Sequence, residues 1–516
     1  MDSVLYFPLY AIGGFLALIL VNVLQQRLFR RSGDAPLVLH WFPFIGNAVS
    51  YGLDPYSFFL ECRKKHGDVF TFILFGRKIT CCLGVQGNDF VLNSRHQDAN
   101  AEEIYGPLTT PVFGSDVVYD CPNWKLMEQK KFVKFGLTQK ALESHVQKIE
   151  GEVLDYINSE SHLSGPSGSV DISTAMAEIT ILTAARALQG DEVRSKLTAE
   201  FASLYHDLDL GFTPANFLFP WAPLPNNRRR DAAHAKMRAI YMDIINDRRK
   251  SGVDVNEGSD MIWNLMRCSY KNGQPVPDKE VAHMMITLLM AGQHTSSSAS
   301  SWIMLHLASR PDITEELHRE QLDNLSVDGV LPPLQYSDLD KLPLLNNVVK
   351  ETLRVHSSIH SILRKVKNPL HVPGTSYTVA AGEVILASPI VTALSDEYFT
   401  NGTTWNPHRW DNKPREETAG DEMIDYGYGA VTKGTKSPYL PFGAGRHRCI
   451  GEKFAYVNLG TIINTMVRNF KLNTMDGKTG VPATDYTSLF SRPVKDAFIR
   501  WERRSVPKPS KTTVRL

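Results

Sequence analysis

The sequence predicts a mainly α-helical protein with small β-sheets, and three observations carry this prediction. Helical spacing of apolar residues dominates from about residue 126 to 310. Residues 67–85 contain two short β-rich runs that resemble a hairpin. No long polar linker, low-complexity tract or internal repeat follows residue 32. We therefore expect one large domain over residues 32–516.

The first 31 residues predict a membrane anchor with a basic flank. Val4 to Val21 is an uncharged, mostly apolar run, just long enough to span a bilayer as a helix. The run ends before Arg27, and Arg30 and Arg31 follow. A cleaved signal peptide is disfavoured, because it would carry its basic segment before the apolar run. The basic flank predicts a single-pass protein whose remaining chain lies in the cytoplasm.

The composition excludes several classes of protein. Of the 516 residues, 43% are hydrophobic and 22% are charged, which is typical of a globular chain rather than a disordered one. A net charge of +1 gives no indication of nucleic-acid binding. The six cysteines are too few and too scattered for a disulfide framework, and none has zinc-binding spacing. We expect a reducing compartment.

The clearest single element is a helix predicted from Asp278 to Arg310. It follows Pro277, begins with acidic residues and stops at Pro311. A helix of that length would cross a whole large domain, because each residue adds about 1.5 Å. Its middle is nearly all apolar, so we expect it to be buried on every side.

The segment from Pro441 to Gly451 carries the strongest chemical signal. Cys449 lies between a glycine-rich loop and a periodic helix pattern, where the helix dipole and free N–H groups favour a thiolate. Phe442 would cover one side of the sulfur, and Gly443 would let the backbone approach a flat ligand. A thiolate ligand of haem iron needs this environment. The alternatives are a buried structural cysteine or half of a dinucleotide loop, although the third glycine of that fingerprint is missing.

The middle of the long helix contains a second candidate site around Ala291 to Ser296. Gly292 lowers helix stability and would leave space beside the helix for a flat cofactor and dioxygen. Thr295 would then hold a water or contact the oxygen, and His294 has a pKa suited to passing protons. The alternative for Thr295 is a hydrogen bond to the carbonyl four residues earlier, which is common in helices.

A third pattern predicts a buried charge cluster. Glu351 and Arg354 lie on one helix face at i, i+3 spacing. Such pairs are common and weak on surfaces. Arg409 follows in a proline-bearing loop and would complete a Glu–Arg–Arg cluster.

These motifs resemble the haem-binding loop, the oxygen groove and the structural Glu–Arg–Arg cluster of the cytochrome P-450 superfamily. The resemblance implies the P-450 fold, haem b on Cys449, O2 as co-substrate and electrons from NADPH through a cytochrome P-450 reductase. It implies a structural role for Glu351, Arg354 and Arg409. Candidates for binding the haem propionates, which need cations and hydroxyl donors, are Tyr119, Lys130, Arg364 and His447. For Lys130 the alternative is a solvent-facing position in a charged run.

The segment from Tyr105 to Asp120 narrows the resemblance to the sterol 14α-demethylase family, whose signature it closely resembles. Gly292-Gln-His-Thr-Ser296 and His447 also match that family, and the resemblance runs from the anchor to about residue 500. It implies three successive oxygenations of the sterol 14α-methyl group, with loss of formate. In fungi the substrates would be lanosterol or eburicol, in ergosterol biosynthesis.

The family resemblance also implies roles for further residues. Asp209 would pair with His294 and link the proton relay to solvent. Tyr105 would contribute to the haem site as well as to the pocket. The resemblance implies azole inhibitors as ligands, membrane lipid as a partner, and residence in the endoplasmic reticulum membrane, while the net charge predicts no nucleic-acid partner. The pocket wall would include eight residues: Tyr105, Phe113, Tyr119, Phe212, His360, Ser361, Leu489 and Phe490.

Two departures from the family pattern leave alternatives open. Leu210 stands where fungal members usually have lysine, and Trp124 where a small serine is usual. One alternative is a duplicated copy with a specialised or azole-protective role. Another is a P-450 that oxidises a different hydrophobic substrate, and a third is a haem- or sterol-binding protein without turnover.

Overall fold

The computed structural model describes residues 2–28, 33–196, 199–213, 216, 218–253, 260–411, 422–488, 490–494 and 496–504. The described residues are mainly helical and carry small sheets, which confirms the predicted fold class. The predicted boundary between residues 31 and 32 stays a prediction.

The α-helices of the described residues are as follows: α1 Asp2–Leu28, α2 Ala48–Leu53, α3 Pro55–His66, α4 Gly84–Leu92, α5 Glu102–Phe113, α6 Asn123–Phe135, α7 Gln139–Ser159, α8 Ile172–Ala184, α9 Asp191–Ser195, α10 Ala199–Asp209, α11 Pro225–Lys250, α12 Met261–Met266, α13 Asp278–Ser309, α14 Pro311–Leu325, α15 Tyr336–Leu339, α16 Pro343–Val355, α17 Pro389–Ala393 and α18 Glu452–Asn469.

The strands are short and fall into five sheets: β1 Val69–Leu74, β2 Arg77–Cys82, β3 Ala99–Asn100, β4 Ser167–Asp171, β5 Ile362–Val366, β6 Leu370–His371, β7 Thr378–Val379, β8 Val384–Ala387, β9 Met423–Asp425, β10 Ala430–Thr432, β11 Phe470–Thr474, β12 Thr484–Asp485, β13 Arg492–Pro493 and β14 Phe498–Arg503.

The chain forms two compact units that are interwoven in sequence. The first unit takes residues 1–107, 359–402 and 432–448. The second takes residues 108–358, 403–431 and 449–516. Each unit therefore draws on three separate stretches of chain.

The first unit is organised around a five-stranded sheet of order β1-β2-β8-β5-β3. β1 and β2 pair antiparallel from Val69↔Cys82 to Leu74↔Arg77, which confirms the predicted hairpin. β8 adds to β2 in parallel, with Ile79 opposite Val384. The inner faces are apolar and fully buried, as at Phe70 and Ile385, so burial of this sheet stabilises the unit.

The second unit is organised around α13. This helix of 32 residues begins at Asp278, as predicted, and ends at Ser309, one residue before the predicted end. Two observations explain its bounds. The negative charges of Asp278 and Glu280 interact favourably with the positive N-terminal end of the helix dipole. Pro311, the first residue of α14, disfavours helical backbone in the residue before it and so ends α13. Most of its side chains are buried, including Met285, Ile286 and Trp302.

The predicted membrane anchor forms a helix, α1, but its crossing of a bilayer is not borne out. Within the described part of the chain, no helix combines the length and hydropathy that such a crossing requires. Arg30 and Arg31 lie outside the described residues. Near its end α1 packs on the chain itself, because Asn22 Nδ2 donates to the carbonyls of His40 and Trp41 at 2.9 and 3.1 Å.

Candidate active site

The loop before Cys449 has a backbone that requires glycine at one position. Gly445 has a φ of +65°, and a Cβ there would lie 2.6 Å from the carbonyl oxygen of Leu92. Gly445 begins a short 3₁₀ turn that ends at His447. Phe442 and His447 are partly exposed. At Gly443, whose φ is also +65°, a Cβ would meet no described atom within 4 Å.

Cys449 is exposed and lies three residues before the first residue of α18. A Cβ on Gly451 would lie 3.8 Å from the Cys449 sulfur, which is an ordinary van der Waals contact. The helix N-terminus favours negative charge on nearby groups. The position therefore suits an accessible thiolate ligand.

The middle of α13, at the predicted oxygen groove, is more exposed than the rest of the helix. Ala291 is exposed, and Gly292 and Thr295 are partly exposed, in a helix whose flanking turns are buried. The Thr295 hydroxyl donates to the Ala291 carbonyl at 2.9 Å, as the structural alternative predicts. Its oxygen can still accept a hydrogen bond. A Cβ on Gly292 would meet only Leu188 among the described residues, at an ordinary 3.5 Å, so packing does not enforce the glycine.

His294 and Asp209 come together as predicted. The His294 Nε2 atom lies 3.2 Å from Asp209 Oδ1, with the side chains 16% and 23% exposed. This is ion-pair distance, although the imidazole nitrogen is not aligned for a hydrogen bond. Burial lowers the pKa of His294, Asp209 raises it in part, and the electrostatic effects of Arg492 and His206 lower it further. The imidazole is thus held neutral at pH 7, beside a carboxylate that can stabilise its proton.

Phe490 and Phe212, two predicted pocket residues, pack against this histidine, and a third, Phe113, packs on Phe212. The His294 ring stacks on Phe490, with centroids 5.3 Å apart and an angle of 13° between the planes. Phe212 contacts Phe490 and Phe113, with centroid distances of 5.7 and 5.8 Å. These side chains form an aromatic wall beside the His294–Asp209 pair. Leu489 lies outside the described residues.

Sequence reasoning missed Tyr205 in this wall. Its ring lies 5.3 Å from that of His294, and its hydroxyl donates to Gln293 Oε1 at 2.6 Å. Tyr205 and Asp209 are four residues apart on α10, and therefore share one helix face. That spacing was the available signal.

Tyr119 and Lys130 both lie at a buried cluster that includes Tyr428. Tyr119 packs on a buried cluster that includes Tyr428, and Ile450, the neighbour of Cys449 in the chain, packs on the same cluster. The Lys130 ammonium lies 3.9 Å from the centre of the Tyr428 ring. Lys130 is partly buried and makes a cation–π contact, so it is not the solvent-facing residue of the alternative reading.

The first unit holds the remaining predicted residues. The Tyr105 hydroxyl accepts from the Leu363 amide at 3.0 Å. Burial raises the pKa of Tyr105, while the positive charge of Arg364 lowers it. Arg364 is 4% exposed and donates to the Leu363 carbonyl at 2.8 Å. The charge of Arg364 therefore lies near the phenol.

His360 and Ser361 contact each other within this unit. His360 Nδ1 lies 2.8 Å from Ser361 Oγ, and its ring packs edge-on to Tyr51, 5.9 Å away. Burial lowers the pKa of His360 to about 4. The ring is therefore neutral at pH 7 and presents an apolar face.

The predicted charge cluster is fully formed and buried. The Glu351 and Arg354 side chains are 0% exposed and that of Arg409 is 11% exposed. The Glu351 oxygens accept from Arg354 Nε and Nη2 at 2.9 and 2.7 Å, Arg409 Nε at 3.2 Å, Trp410 Nε1 at 2.9 Å and the Asn406 amide at 2.9 Å. The cluster joins α16 to the loop before residue 411.

A family model described as Cytochrome P450 matches residues 36–500. The chain is 74% identical over 504 residues to a sterol 14-alpha demethylase of Gibberella zeae, covering 98% of this chain and 99% of that protein. It is 66% identical to one of Aspergillus fumigatus, covering 98% and 99%. It is 58% identical to the eburicol 14-alpha-demethylase of Penicillium italicum, covering 96% and 97%.

A solved structure shows the same fold at low sequence identity. The retinoic acid-bound cyanobacterial CYP120A1 has a TM-score of 0.76 and 20% identity, covering 92% of this chain and 100% of that one. This likeness concerns the fold alone.

Proposed function

Because the chain belongs to the cytochrome P450 family, we propose that it is a haem-thiolate monooxygenase that removes the 14α-methyl group of a sterol. The observation that carries the proposal is the 74% identity, over 98% of the chain, to a protein named as a sterol 14-alpha demethylase. The aromatic wall around His294 supports it, because a rigid apolar surface suits a flat hydrocarbon ligand.

The residues present fit a haem group. Cys449 is accessible, three residues before the first residue of α18 and so close to a helix N-terminus. We assign it as the iron ligand. Haem with a thiolate ligand supplies activation of dioxygen, using electrons from NADPH through a reductase. The groups proposed to hold the haem propionates or contact the haem are Tyr105, Tyr119, Lys130, Arg364 and His447, with Gly292, Phe442 and Gly443 beside it.

The relay residues would handle the protons that each oxygenation consumes. His294 would pass protons inward, with Asp209 stabilising its charged form during transfer. Thr295 would accept a hydrogen bond through its hydroxyl oxygen, since its proton already binds the Ala291 carbonyl.

The pocket residues would orient the sterol and exclude water. Phe113, Phe212 and Phe490 would line one part of the wall. Tyr105, Tyr119, His360, Ser361 and Leu489 would supply the rest. The methyl carbon would be oxidised three times and leave as formate, giving a 14,15 double bond. Azoles, which carry a nitrogen able to ligate iron, would compete at the same site.

The decisive experiment uses the purified haem protein with cytochrome P450 reductase, NADPH, O2 and either lanosterol or eburicol. We expect a spectral shift on sterol binding, followed by formate and the 14-desmethyl sterol in equal amounts. Cys449→Ser should abolish product, and Cys268→Ser, at a buried cysteine remote in sequence, is the matched control. Sterol binding without formate release would show that the protein binds sterols without oxidising them. A product other than the 14-desmethyl sterol would show that the protein catalyses a different P450 oxidation.

We also propose residence at the endoplasmic reticulum membrane, with the haem domain in the cytoplasm. α1 carries exposed apolar side chains, among them Tyr10, Phe15 and Leu18 at 78%, 52% and 62% exposure. Lipid covering such a surface is favourable. Deleting residues 2–28 should move the protein from the microsomal to the soluble fraction after a high-salt wash. A truncated protein that stays in the microsomal fraction would show that another surface binds the membrane.

A further inference from the structure

The segment from Phe113 to Tyr119, which joins two predicted pocket residues, has a strained backbone. Asp116 and Val118 have φ angles of +69° and +54°, a region that side chains with a Cβ rarely adopt. For the β-branched Val118 the conformation is especially unfavourable. Surrounding contacts must therefore hold this segment in place.

Gln129 on α6 contacts the segment at both strained residues. Its Nε2 atom donates to the Asp116 carbonyl at 2.8 Å, and its Oε1 accepts from the Val118 amide at 3.4 Å. The side chain is 3% exposed. One buried amide thus bridges the backbone on either side of Val117.

A second layer fixes the orientation of Gln129. Its Nε2 also donates to the Tyr270 hydroxyl at 3.1 Å, and that hydroxyl donates to Glu280. Glu280 accepts from Lys125 Nζ at 2.8 Å. Trp124 packs edge-on to Tyr270 at 6.4 Å, which gives this unusual residue a packing role.

Two histidines hold the other end of the segment. His283 Nδ1 lies 2.9 Å from the Ser115 carbonyl, and His234 hydrogen-bonds the backbone of Phe113. Gly114 lies between these contacts with a φ of +99°, and a Cβ there would approach the His283 ring to 2.4 Å. Both imidazoles have a buried Nε2 without a hydrogen-bond partner among the described residues. This fits neutral rings whose one N–H is donated to the backbone.

We propose that Gln129, His234 and His283 form a clamp that holds residues 113–118 in this strained conformation and so positions Phe113 and Tyr119 against the sterol. The three are positioning residues, since they contact the backbone of the wall and act through it. The inference rests on the proposed function for its substrate, but the clamp itself is a property of the chain.

The first test replaces Gln129→Leu in the full-length haem protein, which keeps the side-chain volume and removes both backbone hydrogen bonds. Amides of residues 113–120 should exchange with deuterium about tenfold faster, because buried hydrogen bonds limit local opening. The sterol dissociation constant and KM should rise about five- to tenfold, while kcat stays within about twofold.

Gln321→Leu is the matched control. Gln321 is 2% exposed, donates to the Asn464 carbonyl at 3.4 Å and accepts from Arg468 at 2.8 Å, away from the segment. It should lower the thermal midpoint as Gln129→Leu does, without changing exchange at residues 113–120. Equal exchange and equal sterol affinity in the two variants would overturn the clamp.

The substitution Val118→Gly tests whether Gln129 acts by holding the strained backbone or only as a buried packing contact. Glycine adopts positive φ without strain, so the double variant Gln129→Leu/Val118→Gly should recover much of the sterol affinity that Gln129→Leu loses. If the loss of sterol affinity in the double variant equals the sum of the losses in the two single variants, the proposal is wrong. The exchange measurement needs no sterol, so it reports on the clamp even if the proposed reaction fails.

Discussion

Replacing Glu351→Gln is expected to lower the free energy of unfolding by about 3–5 kcal/mol, the cost of breaking a buried ion pair. That is a large part of the stability of a typical protein. The soluble yield of haem protein should fall accordingly, and its thermal midpoint should drop.

The reason lies in what the carboxylate accepts. Arg354 is 0% exposed and donates to both Glu351 oxygens. A glutamine has one oxygen where the carboxylate has two, and its NH2 group would face the N–H groups of Arg354 or Trp410. The variant would leave a buried charge unpaired and buried donors unsatisfied, and both are costly.

Glu315→Gln provides the comparison. Glu315 also binds an arginine with both oxygens, at 2.9 and 2.7 Å from Arg504, but its side chain is 46% exposed. Because water screens this pair, the cost should be about 1 kcal/mol or less. Similar losses in the two variants would show that burial of the Glu351 cluster does not matter to stability.

Asp209→Asn is expected to slow turnover about tenfold and to shift its pH dependence to lower pH. Asp209 raises the pKa of His294, opposing the burial that lowers it. Without the carboxylate the pKa of His294 falls further, so protonation of the imidazole requires a more acidic solution. If His294 donates protons, the alkaline limb of the rate profile moves to lower pH.

Asp207→Asn is the matched control for this prediction. Asp207 lies on the same helix, two residues earlier, and pairs with Arg229 instead of His294. Its rate profile should follow that of the unmodified protein. Superimposable profiles for all three proteins would rule out a role for the pair in proton delivery, and a lower coupling of electrons to product is the second readout.

The sequence predicted those helices and strands whose bounds depend on residues close together in the chain. The bounds of α13 follow from acidic residues at its start and Pro311 after its end, and both signals are adjacent in the chain. The β1–β2 hairpin follows from two β-rich runs separated by a short turn. The Glu351 cluster and the His294–Asp209 pair join distant residues, and only the family resemblance indicated that Asp209 pairs with His294.

Other contacts had no readable signal in one sequence. Gln129 lies in a run of charged and polar residues that is typical of a solvated helix face, yet tertiary packing buries it. The pairing of β2 with β8 joins segments without any shared local pattern. The strain at Val118 also could not be predicted, because its side chain favours extended backbone and contacts from other elements override that preference.

The parallel pairing of β2 with β8 has a consequence for how the protein is made. Ile79 meets Val384, about 300 residues later in the chain. At a synthesis rate of about 5–20 residues per second, the ribosome needs roughly 15–60 s to make the residues between β2 and β8, and the edge of β2 that pairs with β8 stays unpaired during that time. An apolar strand with an unpaired edge can pair with other chains during that interval. The yield of this protein in a cell should therefore depend on the supply of chaperones that shield nascent chains.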